Sequence, residues 1–259
     1  MRSLLFAKLD KYLAPVPRAE KVRWLGEWSF AHRGLHGAGL PENSPAAFEA
    51  AIARNLGIEC DIQRSSDGHA MVFHDADLDR LTDRTGPVAA LIADELGTIA
   101  LASGTDTIPT LRQVIDQVAG RVPLLIEIKS PREEKWRIPS LCLAVRRVLE
   151  GYMGAHAVMS FDPVIVRWFA DHSPLTVRGL VVTEEDDKAL PGRIKRRLSL
   201  WAAKPDFLAY DIRDLPSRFA AKQRARGLPV TTWTVRSAEH RERAAAHADA
   251  PIAEGAGIA

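Results

Sequence analysis

The stretch IECDIQRSSDGHAMVFHD, residues 58–75, holds the reading on which the fold turns. Ile58–Ile62 alternates apolar residues with Glu59 and Asp61. On a strand both carboxylates therefore share one face, and Cys60 points to the opposite, helix-covered face. Between Asp61 and the run Ala70–His74 the chain is too short for a parallel crossover, which takes a dozen or more residues. Asp67-Gly68 lies midway and is a favoured two-residue hairpin turn. A hairpin centred there pairs His74 with Asp61, so that the chain leaves the top of a barrel, turns back, and sets the imidazole beside the carboxylate.

Outward from this stretch, short β-rich runs alternate with helical ones. Phe30–His32, Ile58–Ile62, Leu124–Ile128, Ala157–Phe161, Arg178–Val182, Phe207–Tyr210, Val230–Val235 and Pro251–Ala253 read as eight strands. Helices between them have recognisable starts at Ser44-Pro45, Thr110, Asp162-Pro163 and Ser237. Gly57 and Gly227 are expected to close helices as left-handed caps. Strand and helix repeated in this way predict an α/β fold, a single (β/α)8 TIM-type barrel. With no internal repeat or linker, residues 1–259 are expected to form one domain. Residues 76–108, with weak periodicity and Thr82, Thr85, Gly86, Pro87 and Gly104, read as a small insertion above the barrel mouth.

Composition narrows the classes of function. The 259 residues carry a net charge of +2, with 46% hydrophobic and 26% charged residues, which is ordinary for a soluble globular chain and gives no case for nucleic acid. The basic cluster Arg193, Lys195, Arg196 and Arg197 reads as a solvated helix face. Leu4, Leu5, Leu9 and Leu13 read as a helix packing on its own barrel. No transmembrane segment or signal sequence is evident, and Cys60 and Cys142 read as buried thiols in a reduced compartment, so a cytoplasmic location is expected.

Glu127 ends another apolar run, with Lys129 two residues on along the same face. Together with Glu59 and Asp61 it makes a set of three carboxylates, which favours a hard ion, Mg²⁺ or Ca²⁺, over zinc. His32 and Arg33 end the first strand, and Gly34 permits a sharp turn after them. His32 and His74 could supply an acid and a base on opposite sides of a scissile bond. Arg33 and Lys129 add fixed positive charge for a phosphoryl group, and salt bridges to the three carboxylates are the rival reading, expected to hold in part at rest.

HRG (32–34), PENS (41–44), ECDI (59–62), SDG (66–68), FHD (73–75), LDRLT (78–82), EIK (127–129), SFDP (160–163) and WTV (233–235) stand in the order and spacing of the glycerophosphodiester phosphodiesterase family, which the chain resembles over residues 29–255. The resemblance implies a metal-dependent hydrolase that cleaves a small-molecule phosphodiester to sn-glycerol 3-phosphate and an alcohol. It implies His32 and His74 as the acid/base pair and Glu59, Asp61 and Glu127 as ligands of one divalent cation, Mg²⁺ or Ca²⁺, with Mn²⁺ also admitted. Arg33 and Lys129 resemble the phosphate-binding cations, and Trp233 an aromatic at the site mouth. Glu42 and Asn43 are expected to brace His32 and Arg33. Arg236 and Glu254 depart from the family's usual asparagine and aspartate, and neither is expected to touch the reacting groups. His36 is a further departure, read as a loop residue although close enough to compete for a metal. Cleavage of a lysophospholipid or sphingolipid by the same set, a glycosidase using Glu59 and Glu127, and a non-catalytic phosphate-binding barrel are the rival readings. The glycosidase would have no use for Arg33, Lys129 and two histidines.

Overall fold

The computed structural model describes residues 2–102, 104–131, 134–185 and 189–258. Among them, nine strands form one sheet: β1 Phe30–Ala31, β2 Gly57–Arg64, β3 Ala70–Val72, β4 Leu124–Ile128, β5 His156–Ser160, β6 Val177–Val182, β7 Phe207–Asp211, β8 Val230–Val235 and β9 Ala250–Ala253. β1 pairs in parallel with both β2 and β9, which closes the ring, and β3 is an antiparallel appendage on β2. The remaining eight strands are the parallel barrel expected from the sequence, with helices between them.

Alternation along each strand sorts the side chains. Ile58, Cys60 and Ile62 of β2 and Leu124, Ile126 and Ile128 of β4 pack outward with Phe48, Val114 and Cys142 of the surrounding helices. Phe30, Leu125, Ala157, Met159, Val181, Phe207 and Ile252 fill the barrel interior. Glu59 and Asp61, offset by one residue from the outward set, must therefore face the interior. The helix starts are capped as read: the side chains of Ser44, Thr110, Asp162 and Ser237 accept from Ala47, Gln113, Val164 and His240 backbone N–H groups.

Three details differ from the sequence reading. Gly57 is a strand residue; a Cβ there would stand 2.5 Å from the Phe30 ring, so the glycine makes room inside the barrel. Asn55, with φ 53°, takes the left-handed position expected of it, while Gly227 does adopt φ 95°. The β2–β3 hairpin has a three-residue loop, Ser66–Gly68, closed by Ser65 N–H to His69 O at 3.1 Å. One extra residue in the loop shifts the register, and Phe73, not His74, bonds Asp61 through its backbone, at 3.0 Å. Finally, Arg196 of the basic cluster is buried, 3.0 Å from Glu184, because helical periodicity turns it inward from its exposed neighbours Arg193 and Lys195.

Residues 76–108 carry a short helix, Ala93–Leu96, and a small core in which Leu78, Val88, Leu96, Ile99 and Ile108 are buried together with Phe73 from the end of the hairpin. The helix Arg2–Leu13 packs on the barrel: Asp10 accepts from Trp201 Nε1 at 2.8 Å and Gln223 Nε2 at 3.1 Å. The side chains of Leu4 and Leu5 lie outside the described residues. No helix among the described residues is long and apolar enough to cross a membrane.

Cys60→Ser would place a hydroxyl among apolar side chains and should cost ~1–3 kcal/mol in denaturant unfolding. Because the side chain faces the helices, cation affinity at the carboxylate cluster should stay at the wild-type value. A loss of affinity in the folded variant would contradict the strand alternation.

Candidate active site

The C-terminal ends of β1, β2, β4 and β8, with the segment that follows β3, bring all eight residues singled out from the sequence to one open cavity of about 330 Å³: His32, Arg33, Glu59, Asp61, His74, Glu127, Lys129 and Trp233. β2 and β4 are neighbours in register, Asp61 beside Glu127. As a result carboxylate oxygens of Glu59, Asp61 and Glu127 lie within 4.8 Å of one another.

Asp61 is the most heavily bonded of the three. Its Oδ1 lies 2.8 Å from Lys129 Nζ, and its Oδ2 accepts from Asn43 Nδ2 at 2.9 Å and lies 3.3 Å from Arg33 Nε. Asn43 Oδ1 accepts in turn from the Asp61 N–H at 3.2 Å, so Asn43 braces Asp61 rather than His32. Both Arg33 and Asn43 have positive φ, 56° and 55°, and the Arg33 N–H reaches Glu59 Oε2 at 3.0 Å. Glu42 holds the guanidinium of Arg33 at 2.7 Å and that of Arg80, from the 76–108 segment, at 2.7 Å. The salt-bridge reading of Arg33 and Lys129 thus holds alongside any phosphate role.

Electrostatics follow from burial. Burial, then the charges of Asp61 and Glu127, push Glu59 well above the ordinary carboxylate range. Burial likewise raises Glu127, outweighing Lys129. Burial also opposes the charge of Asp61, yet Lys129 and Arg33 hold it below the usual value. Two of three carboxylates are therefore short of positive charge even with both cations present. Three clustered carboxylate oxygen donors with that deficit fit a hard, oxygen-seeking divalent cation.

Each histidine is anchored through Nδ1. His74 Nδ1 stands 2.6 Å from Asp75 Oδ1, and Arg80 Nε fixes the other Asp75 oxygen at 2.6 Å. His32 Nδ1 stands 2.6 Å from Glu254 Oε2, and Arg236 Nε donates to Glu254 Oε1 at 2.5 Å. His32 Nε2 is 4.0 Å from Glu59 Oε2, facing the carboxylates. Glu254 therefore does reach a candidate reacting group, contrary to the sequence reading, while Arg236 bonds only the far oxygen of that carboxylate. The strand-end alignment explains it: Ala31 lies opposite Ala253, so the next residues along, His32 and Glu254, meet. That alignment follows from closing the ring and could have been drawn from the strand list. The signal for Asp75 was its place directly after His74. Trp233 donates from Nε1 to Ala209 O at 2.9 Å and meets Phe161 edge to face, ring centres 5.4 Å apart, at the cavity wall.

Residues 32–252 match the glycerophosphoryl diester phosphodiesterase family. A glycerophosphodiester phosphodiesterase of Bacillus altitudinis is 34% identical over 130 residues, 48% of this chain and 52% of its own length. The probable glycerophosphodiester phosphodiesterase 2 of Mycobacterium tuberculosis is 32% identical over 137 residues, 52% of each chain. The matched segment thus spans about half the length of these relatives. Among solved structures, an Oleispira antarctica phosphodiesterase in complex with its product sn-glycerol-3-phosphate superposes with a TM-score of 0.77 at 22% identity, over 90% of this chain and 94% of that one. A glycerophosphodiester phosphodiesterase from Thermotoga maritima gives 0.69 at 24% identity, over 87% and 93%. These two likenesses establish the fold.

Burial lowers His32 more than Glu254 raises it, and burial lowers His74 more than Asp61 raises it. Both imidazoles of the cation-free protein should then titrate by NMR below the free value of ~6.5 and be neutral at pH 7. Glu254→Gln removes a charge that raises His32, so His32 should move further down while His74 stays. An upward move of His32 would contradict the balance of burial and charge.

Proposed function

Because the chain belongs to the glycerophosphoryl diester phosphodiesterase family, we propose that it hydrolyses glycerophosphodiesters to sn-glycerol 3-phosphate and a free alcohol. The observation that carries this reading is the pairing of two carboxylate-anchored histidines with a three-carboxylate cluster and two cations around one cavity. The product named for the Oleispira antarctica relative supports the same substrate class.

Glu59, Asp61 and Glu127 would hold one divalent cation, Mg²⁺ or Ca²⁺, with Mn²⁺ also admitted by the donor set. When bound, such an ion neutralises phosphoryl charge as a Lewis acid. The chain's own groups do the rest. Arg33 and Lys129, half-buried and preorganised by Glu42, Asp61 and Glu127, bind the non-bridging phosphate oxygens and gain strength as charge builds on them. One histidine accepts the proton of the glycerol hydroxyl neighbouring the phosphate, and that oxygen attacks phosphorus. The bond from phosphorus to the leaving oxygen breaks, and the other histidine, which enters the step protonated because the bound phosphate's negative charge favours its imidazolium, gives that oxygen its proton. Water then opens the resulting cyclic phosphate with the two roles exchanged. Asp75 and Glu254 take no proton; by holding Nδ1 they fix each ring so that Nε2 is the working nitrogen. Trp233 and Phe161 form the apolar wall against which the alcohol lies. Exposure of Phe161 and of Val164, just beyond it in the chain, favours as a second reading a substrate whose glycerol carries an acyl chain, as in a lysophospholipid.

A panel of glycerophosphodiesters and lysophospholipids, assayed for released glycerol 3-phosphate or lysophosphatidic acid, decides between these readings. Chelator should abolish turnover, and Mg²⁺, Ca²⁺ or Mn²⁺ should restore it. Full turnover by protein shown to be metal-free by elemental analysis would overturn the cation role.

His32→Ala and His74→Ala should each lower kcat by roughly 10²–10⁴-fold, the usual worth of positioned proton transfer. Calorimetry with Mg²⁺ should show that both keep wild-type affinity, whereas Glu59→Ala and Glu127→Ala weaken it. The opposite pattern would reverse the assignments.

A further inference from the structure

Beyond the carboxylate cluster, one other group among the described residues brings metal-binding atoms together: one donor atom from each of His32, His36 and Glu254 lies within 4.8 Å of the others. The backbone builds this convergence. His32 N–H bonds Ala253 O at 2.8 Å, which locks the end of β1 to the end of β9. Gly34, at φ 79°, then turns the chain, and Leu35 N–H bonds Ala47 O at 2.9 Å, which returns His36 towards Glu254.

Glu254 divides its oxygens. Oε1 is taken by Arg236, while Oε2 faces both imidazoles, 2.6 Å from His32 Nδ1 and 3.5 Å from His36 Nε2. His36 Nε2 is buried and makes no hydrogen bond. A buried imidazole nitrogen whose nearest acceptor, Glu254 Oε2, stands at 3.5 Å without a well-formed hydrogen bond is poorly satisfied, and an ion would satisfy it. Two imidazoles and one carboxylate are a donor set for a borderline ion and not for Mg²⁺ or Ca²⁺. In a tetrahedral zinc site with bonds of ~2.0–2.1 Å, donors stand about 3.3 Å apart. The His36–Glu254 separation of 3.5 Å is already close to that. His32 and Glu254 need to open only from hydrogen-bond to ligand spacing. Arg236 would serve as the outer partner that orients the carboxylate.

We propose that His32, His36 and Glu254 form a second cation site, selective for Zn²⁺ or a similar borderline transition ion, whose filling switches the enzyme off. The inhibitory consequence rests on the hydrolysis proposed above; the binding does not. An imidazole that gives the Nδ1 lone pair to a metal keeps its proton on Nε2 and has no lone pair left there. His32 would then be unable to accept a proton, while the carboxylate cluster remained free to hold its own ion.

The test titrates Zn²⁺ calorimetrically into protein saturated with Mg²⁺, with Co²⁺ absorption as a report on imidazole coordination. The expected result is one Zn²⁺ bound per chain without release of Mg²⁺, and inhibition that added Mg²⁺ does not relieve. His36→Asn should weaken Zn²⁺ binding by more than about tenfold, since even outer-sphere partners are worth that much. The same variant should lose Zn²⁺ inhibition while keeping its Mg²⁺-supported turnover. Glu127→Gln should retain the Zn²⁺ site. The proposal fails if His36→Asn binds Zn²⁺ as tightly as wild type, or if Zn²⁺ displaces Mg²⁺ one for one. Should no substrate be turned over, the calorimetric and Co²⁺ results still decide whether the site exists.

Discussion

The buried carboxylate of Asp61 is the point through which the upper part of the barrel is tied together. It receives Lys129 from the residue after β4, Arg33 from the turn after β1 and Asn43 from the next loop, and its own N–H is held by Asn43. Each of those partners is otherwise placed by a different strand or loop. Removing one partner of such a buried pair leaves an uncompensated charge, at a cost of roughly 3–5 kcal/mol. The left-handed backbone at Arg33 is held by these contacts, because an arginine rarely chooses it, whereas asparagine at 43 is among the residues that tolerate it.

Much of this arrangement was legible from the residues alone, and the reasons are physical. Strand alternation fixed that Glu59 and Asp61 share the inner face and that Cys60 opposes them. The capping side chains of Ser44, Thr110, Asp162 and Ser237 located helix starts because their short oxygens reach N–H groups left free by the helix. The hairpin was legible as a hairpin but not in register. Loop length sets register, and a type I turn followed by a left-handed glycine looks, in sequence, much like a tighter two-residue turn. Gly57 was misread for a related reason: a glycine can serve backbone freedom or steric room, and only the Phe30 ring beside it distinguishes them.

The two departures at Arg236 and Glu254 looked unrelated along the chain and turn out to be bonded to one another. A glutamate is one methylene longer than the aspartate usual at its position. Its Oε1, the oxygen not facing His32, is taken by Arg236, which has a longer arm than asparagine. The same two side chains carry the polarity of His32. His74 has an equivalent arrangement made from Asp75 and Arg80. Two histidines from unrelated segments thus share one local design of imidazole, carboxylate and guanidinium.

Ring closure has a consequence in time. β1 must pair with β9, whose last residue stands at Ala253, so the contact between His32 and Glu254 joins positions 222 apart. A chain emerging from the ribosome exposes β1, β2 and β4 long before β9 follows. The anionic cluster can assemble on the nascent chain, but the ring holding one of its two histidines stays unanchored until the last strand is released. Slow formation of so distant a contact, and not the local chemistry, would then set when a newly made molecule first becomes competent.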